Sequence, residues 1–202
     1  MFILVDNGSK NNNIVDFSNE KNSLKKNWKV IRSNNNLGFG GGVKYGVLNS
    51  DAEFVSWMPG NLKLDPKDVF NFLNKVKTLN KNELIKANRV GRPLIAKMKT
   101  IIFGAIVSIF FGVRMTDSGG TPNLVHRSFF NNPEVIPNDF SFDIFILYYF
   151  RLHKHRVTRP KIIYTKRMHG KSHWQNGIIP EIMLTLDVLK SKKEWKKKAN
   201  LI

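Results

Sequence analysis

The chain has 202 residues, enough for one domain with a substantial core. Its 42% hydrophobic and 24% charged content is ordinary for a globular fold, and the lack of Cys excludes disulfides and thiolate metal sites. The net charge of +18 is the one extreme value, and it points to a polyanionic partner: nucleic acid, anionic lipid headgroups or phosphorylated substrates.

The first residues, Met1-Phe2-Ile3-Leu4-Val5, form an apolar run that ends directly in Asp6-Asn7-Gly8-Ser9. This reads as a buried strand of a parallel sheet closed by an acidic turn. Ile14 to Asn27 is polar and weakly helical, and Trp28 to Arg32 is a short strand. Gly40 to Asn49 reads as a helix entered through a glycine-rich turn, with Val43, Val47 and Leu48 on its apolar side. Glu53 to Met58 is another buried strand, stopped by Pro59-Gly60. Asp65-Pro66 is an N-cap followed by a first-turn proline, and it opens a helix to about Leu79. Leu84 to Val90 is the next strand, and the alternation β-α-β-α-β-α-β predicts a parallel α/β sheet.

Ile101 to Val113 is a strongly apolar stretch, too short to span a bilayer and expected to be a core or interfacial helix. Phe142 to Arg151 is a second apolar helix, and Lys161-Ile162-Ile163-Tyr164 is a strand. Pro180 begins a final helix whose start is apolar and whose end is rich in Lys. The charge is uneven: Lys190, Lys192, Lys193, Lys196, Lys197 and Lys198 crowd the C-terminus. A second basic block runs through Arg151, Lys154, Arg156, Arg159, Lys161, Lys166, Arg167 and Lys171.

Five segments carry candidate chemistry. Asp6 closes a strand at the edge where open α/β sheets place ligands, and its carboxylate either caps the turn or accepts an N–H from a nucleotide base. Asn36-Leu37-Gly38-Phe39-Gly40-Gly41-Gly42 would let backbone approach a ligand at a helix N-terminus, or it is a plain connection. Met58-Pro59-Gly60-Asn61 ends a strand, and Asn61 offers one neutral carbonyl oxygen there. Thr116-Asp117-Ser118-Gly119-Gly120 is an acidic glycine-containing turn, followed by Arg127. Arg167-Met168-His169-Gly170-Lys171-Ser172 combines a guanidinium fork, a close-approach glycine and a hydroxyl donor, a set suited to phosphate.

Taken in this order, these segments resemble glycosyltransferase family 2, closest to dolichyl-phosphate-mannose-synthase-like and other polyprenyl-phosphate sugar transferases. The resemblance covers the chain from residue 1 to about residue 175. It implies a GT-A fold: a Rossmann-like α/β, mostly parallel sheet flanked by helices, here with its first strand missing. In that fold the missing strand would stand between the one holding Ile3-Leu4-Val5 and the one holding Phe54-Val55-Ser56. The chain would be one domain, with a nucleotide-sugar-binding half at 1–90, an acceptor half at 91–175 and a basic C-terminal helix at 176–202.

The resemblance also implies site residues. Asp6, Asn7, Gly8, Ser9, Asn36, Gly38, Gly40 and Asn61 would bind the nucleotide sugar, and Arg127, Arg167, Gly170 and Ser172 the acceptor phosphate. Asp117 and Asp143 would be catalytic, with Asp139 a second candidate base if the acceptor is a hydroxyl. The family holds a divalent cation (Mg2+ or Mn2+) on Asp-x-Asp. Here Pro59-Gly60-Asn61 stands in that place, which leaves Asn61 as a weak ligand and puts the cation in doubt.

The function implied is inverting transfer of a sugar from a nucleoside-diphosphate sugar to a polyprenyl phosphate or a glycan. The enzyme would sit peripherally at the anionic cytoplasmic face of a membrane. Two rivals follow from the departures and from the charge: a truncated, catalytically impaired paralogue, and a basic nucleic-acid-binding protein.

Overall fold

A run of alternating half-buried side chains forms β1 (Phe2–Asn7), which pairs in parallel with β2 (Trp28–Ser33) from Phe2–Trp28 to Asn7–Ser33. The computed structural model describes residues 1–10, 27–60, 64–74, 79–164 and 178–202. The weak helix expected from Ile14 to Asn27 therefore falls almost wholly outside the described residues, as do Asn61, Arg167, Gly170 and Ser172.

Helix α1 (Gly38–Leu48) packs on β1, and a Cβ added to Gly46 would stand 3.0 Å from Val5 Cγ2. Strand β3 (Phe54–Trp57) follows, then α2 (Pro66–Leu73), capped by Asp65, whose Oδ1 accepts from the Lys67 amide at 2.8 Å. The single strand expected from Leu84 to Val90 is two: β4 (Glu83–Lys86) and β5 (Asn88–Val90), in different sheets. Between them the backbone changes partners, with the Ala87 amide donating to Pro122 O and the Asn88 amide to Pro160 O.

Strand β6 (Asn123–His126) and strand β7 (Arg156–Thr158) complete a four-stranded sheet in the order β3-β6-β4-β7, while β8 (Lys161–Ile163) pairs with β5. Three of the five described pairings are parallel, and β6 runs antiparallel to both β3 and β4. That reversed strand is the departure from an all-parallel sheet. Among the described residues β1 pairs only with β2 and β3 only with β6, so no described strand stands between β1 and β3.

The four-stranded sheet is buried on both faces, and the strand period of two sorts its side chains. Val55, Trp57, Leu84 and Val125 join the larger core, while Ile85 and Leu124 join a smaller one with Phe72, Leu79 and Ile162. The larger core is built around α4 (Phe142–Leu152), which is apolar almost all round and therefore central. Its Phe142, Phe145, Ile146 and Leu147 are completely inaccessible to solvent.

Helix α3 (Leu94–Phe111) starts at Leu94 rather than Ile101. Its 18 residues correct the expectation of a segment too short to cross a bilayer, since its length and composition both reach that range. The expected final helix is two, α5 (Ile178–Lys190) and α6 (Lys192–Ala199), parted at Ser191. The basic terminus is docked rather than free. Trp195 is buried, with its ring centroid 5.4 Å from that of Phe145 and 5.5 Å from that of Phe111.

Candidate functional site

Asp6 is nearly inaccessible at the end of β1. Its Oδ1 accepts from the Ser9 amide at 2.9 Å, and Arg32 Nε lies 3.4 Å from Oδ2. The Ser9 hydrogen bonds, helped by Arg32 and opposed by burial, hold the carboxyl below the usual carboxylate range. Oδ2 has no hydrogen-bond partner and is closed to solvent beside the Arg32 guanidinium.

Asn7 is a brace. Its Nδ2 donates to Gly38 O at 2.8 Å and its Oδ1 accepts from the Leu37 amide at 2.9 Å. Gly8 takes φ +74, and a Cβ there would meet Asn35 C at 2.6 Å. Asn36 Oδ1 accepts from the Gly38 amide at 2.9 Å, which fixes the turn into α1.

The glycines of α1 approach protein closely. A Cβ on Gly38 would meet Asn138 O at 2.5 Å, and one on Gly40 would meet Pro137 O at 2.3 Å. The Gly40 and Gly41 amides donate to Asp139 O and Asn138 O at 3.3 and 2.9 Å. The expectation that this turn cradles a ligand through Gly38 and Gly40 is therefore corrected: the segment from Pro137 to Asp139 occupies that approach. The same segment carries Asp139, which is exposed at a cleft of about 340 Å³ lined also by Phe140, Ser141, Met183 and Asp187.

Asp143, expected as a catalytic carboxylate, is buried in a closed polar cluster. Its Oδ1 accepts from Trp57 Nε1 at 3.1 Å and Asn123 Nδ2 at 2.8 Å, and Lys86 Nζ stands 3.9 Å away. Lys86 itself is fully buried and donates to Gly120 O at 2.9 Å and Asn123 Oδ1 at 2.8 Å. Burial pushes the Lys86 ammonium down to about 8, against the opposing pull of Asp143. Burial likewise raises the Asp143 carboxyl. A carboxylate so enclosed is a structural anchor and not a base open to substrate.

Asp117 is the hub of a basic cluster. Its backbone has φ +44, a left-handed conformation that Asp tolerates, and its carboxylate explains why the turn holds. Oδ1 accepts from Arg89 Nε at 2.8 Å and also from Arg89 Nη2, and Oδ2 accepts from the Arg89 amide at 2.9 Å. Arg92 Nη1 and Arg159 Nη2 each lie 3.8 Å from this carboxylate. Burial acts to raise the Asp117 carboxyl, but the hydrogen bonds and charge of Arg89 outweigh it and hold it low.

Three guanidiniums thus share one carboxylate at the C-terminal end of β5 and the N-terminus of α3. Arg159 also donates to Thr116 O at 2.8 Å and Asp117 O at 2.9 Å, while its buried Nε has no partner. Tyr164 lies 5.7 Å from Arg89 Cζ, ring centroid to carbon. An excess of positive charge with a spare buried donor is suited to an anion such as phosphate.

Sequence reasoning singled out Asp117 but not Arg89 and Arg92, although a pair of arginines straddling Gly91 between a strand and an apolar helix is a legible signal. Arg127 is not part of this cluster. Because β6 is antiparallel, its C-terminal end lies beside Phe54 at the start of β3, and the Arg127 amide donates to Glu53 O at 2.7 Å. That is the edge opposite Trp57 and Asn123, so Arg127, expected to bind the acceptor phosphate, stands apart from the Asp117 cluster.

Among the described residues no group of three or more His, Asp or Glu gathers to hold a metal ion. Pro59 has no side-chain oxygen, so the described residues do not fit the divalent cation, and no step below passes through one.

Residues 2–92 match the model of glycosyl transferase family 2. No curated protein matches the chain in sequence. In structure the chain is similar to glucosyl-3-phosphoglycerate synthase from Mycobacterium tuberculosis in complex with uridine diphosphate. The TM-score is 0.64 at 13% identity, covering 93% of this chain and 68% of that one. The same synthase with Mn2+, UDP-glucose and phosphoglyceric acid gives 0.64 at 12% identity over 93% and 68%. With Mg2+ and UDP it gives 0.65 at 12% identity over 93% and 67%. These likenesses establish a GT-A-like α/β fold with mixed sheets flanked by helices.

Proposed function

We propose that this chain, whose residues 2–92 match the model of glycosyl transferase family 2, moves a sugar from a nucleoside-diphosphate sugar to a phosphate-bearing acceptor. The observation that carries the acceptor class is the gathering of Arg89, Arg92 and Arg159 on the single carboxylate of Asp117. The structural neighbours bound to phosphoglyceric acid support the same class.

Within that class the reading commits to a polyprenyl phosphate. Arg92 stands two residues before Leu94, where the exposed apolar side of α3 begins, so a phosphate on the cluster would have a lipid-compatible surface beside it. An oxygen of the acceptor phosphate attacks the anomeric carbon from the face opposite the leaving group. The new C–O bond forms as the bond to the donor diphosphate breaks, and the electron pair leaves with the nucleoside diphosphate. The attacking oxygen is already anionic near neutral pH, so no base is needed. This agrees with the enclosure of Asp143, which leaves that carboxylate no access to an acceptor hydroxyl.

On the donor side Asp6, which closes β1, is the carboxylate assigned to a base N–H. Arg89, Arg92 and Arg159 hold and orient the acceptor.

A second reading, a donor-binding protein without turnover, is favoured by the occupied Gly40 and Gly41 amides and by Pro59 in place of a carboxylate. One experiment separates the two. Binding of UDP and GDP is measured by titration calorimetry, and the chain is then incubated with the matching sugar nucleotides and polyprenyl phosphate, with product detected by mass spectrometry. Binding with product supports transfer to a lipid phosphate. Binding without product on any phosphorylated acceptor supports the second reading, and no nucleotide binding overturns both.

A further inference from the structure

Helix α3 turns most of its apolar surface away from the fold. Toward the protein it buries only Gly104, Val107 and Phe111, and a Cβ on Gly104 would stand 3.1 Å from Met115 O. Its large aliphatic side chains point the other way. Ile95, Met98, Ile102, Ile106 and Ile109 are exposed by 72, 53, 56, 42 and 85%. At 3.6 residues per turn these five positions fall within an arc of about 80°, so they form one continuous apolar stripe. Only 17% of the helix is buried within the fold. The neighbouring helix α5, which packs against α3, also exposes Ile182 and Leu186.

Both ends of the stripe carry positive charge. Lys97 and Lys99 are exposed in the first turns of α3. At the far end Lys192 lies over the Phe110 ring, 5.0 Å from its centroid, and hydrogen-bonds Phe110 O at 2.6 Å. Lys193, Lys196 and Lys197 of α6 are exposed just beyond.

We propose that the outward face of α3 docks the protein on an anionic lipid bilayer, with the helix lying in the plane of the interface. An apolar stripe flanked by lysines matches a membrane whose acyl region lies beneath negative headgroups. Charge argues against a second copy of the chain as the occupant, because two molecules of net charge +18 would meet lysine to lysine along the same stripe. The helix is also held to the fold along its opposite side by Val107 and Phe111, which suits an interfacial position better than a crossing. This docking goes beyond the transfer reaction and holds whether or not the chain turns over a sugar.

The test is co-sedimentation of the full chain with vesicles of phosphatidylcholine alone and of phosphatidylcholine with phosphatidylglycerol. The comparison protein is the Ile102→Glu, Ile109→Glu double variant, and its thermal melt is recorded alongside. Both positions are exposed, so the variant should fold as the parent does. The expected result is preferential binding to the anionic vesicles, weakened by salt, and a loss of about tenfold or more in partitioning for the double variant. Equal binding to both vesicle types, no binding to either, or unchanged binding by the variant would overturn the proposal. A parent that sediments as a dimer in buffer, becomes monomeric on the double substitution and ignores vesicles would assign the stripe to a second copy instead. If the double variant fails to fold, Ile109→Glu alone, at the most exposed position, carries the comparison.

Discussion

The amide of Gly41 donates to the carbonyl of Asn138 across 2.9 Å, joining the first turn of α1 to the segment that precedes α4. Helix N-termini leave unsatisfied amides, and here residues about a hundred positions away satisfy two of them. The contact is intolerant of volume, since a Cβ on Gly40 would meet Pro137 O, a backbone atom, at 2.3 Å. Gly40→Ala should therefore destabilise the fold by about 1–3 kcal/mol, the usual range for overpacking. Urea unfolding of the variant would check this, and an unchanged midpoint would refute the close approach.

Asp6→Ala should weaken binding of the preferred nucleoside diphosphate. Asp6 closes β1 where the donor is proposed to bind, and losing a charged hydrogen bond costs about 1.5–3 kcal/mol. Titration calorimetry with UDP and GDP provides the measurement. Equal affinity for both nucleotides in parent and variant would remove Asp6 from the donor site.

Arg159→Lys should lower affinity for inorganic phosphate while preserving charge. The guanidinium forks between Thr116 O and Asp117 O and keeps Nε spare, a geometry that an ammonium does not reproduce. An increase in Kd of about tenfold is expected from the loss of one charge-assisted bond. If Arg159→Lys binds phosphate as the parent does, the cluster acts only as a diffuse positive field.

The alternation of apolar runs and turns made the α/β class legible, although the strands are not all apolar: β4 buries Glu83 and Lys86 beside Leu84 and Ile85, and β3 exposes Ser56. The family resemblance lay partly in Asp6 at the end of β1, the glycines of α1 and Asp117, of which Gly38 and Asp117 take a positive φ. What the sequence hid was long-range. The reversed direction of β6 separates Arg127 from Asp117, and nothing local to Asn123–His126 declares that direction. The enclosure of Asp143 depends on Trp57, Lys86 and Asn123, which converge from three strands of the four-stranded sheet. Gly38 and Gly40 read equally well as ligand-approaching or protein-approaching, and only the fold shows the loop at Asn138 in that place.

Lys86 gives the last prediction, because its environment ties stability to pH. The side chain is fully buried and held at about 8, against an ordinary value of 10.5. Between these two values the unfolded chain binds more protons than the folded one at this site. Stability therefore rises with pH through that window, with a slope of at most about 1.4 kcal/mol per pH unit from this group. Below about pH 8 the lysine is charged in both states and the burial penalty is fully present. Lys86→Met removes the titration but leaves Asp143, Gly120 O and Asn123 Oδ1 without their cation, so it should cost about 3–5 kcal/mol near neutral pH. Other lysines titrate in the same range, so the decisive quantity is the difference between parent and variant in urea midpoint from pH 7 to pH 10. That difference should widen as pH rises, since the parent gains stability that the variant lacks. A constant difference across the series would mean that Lys86 titrates alike in the folded and unfolded chains.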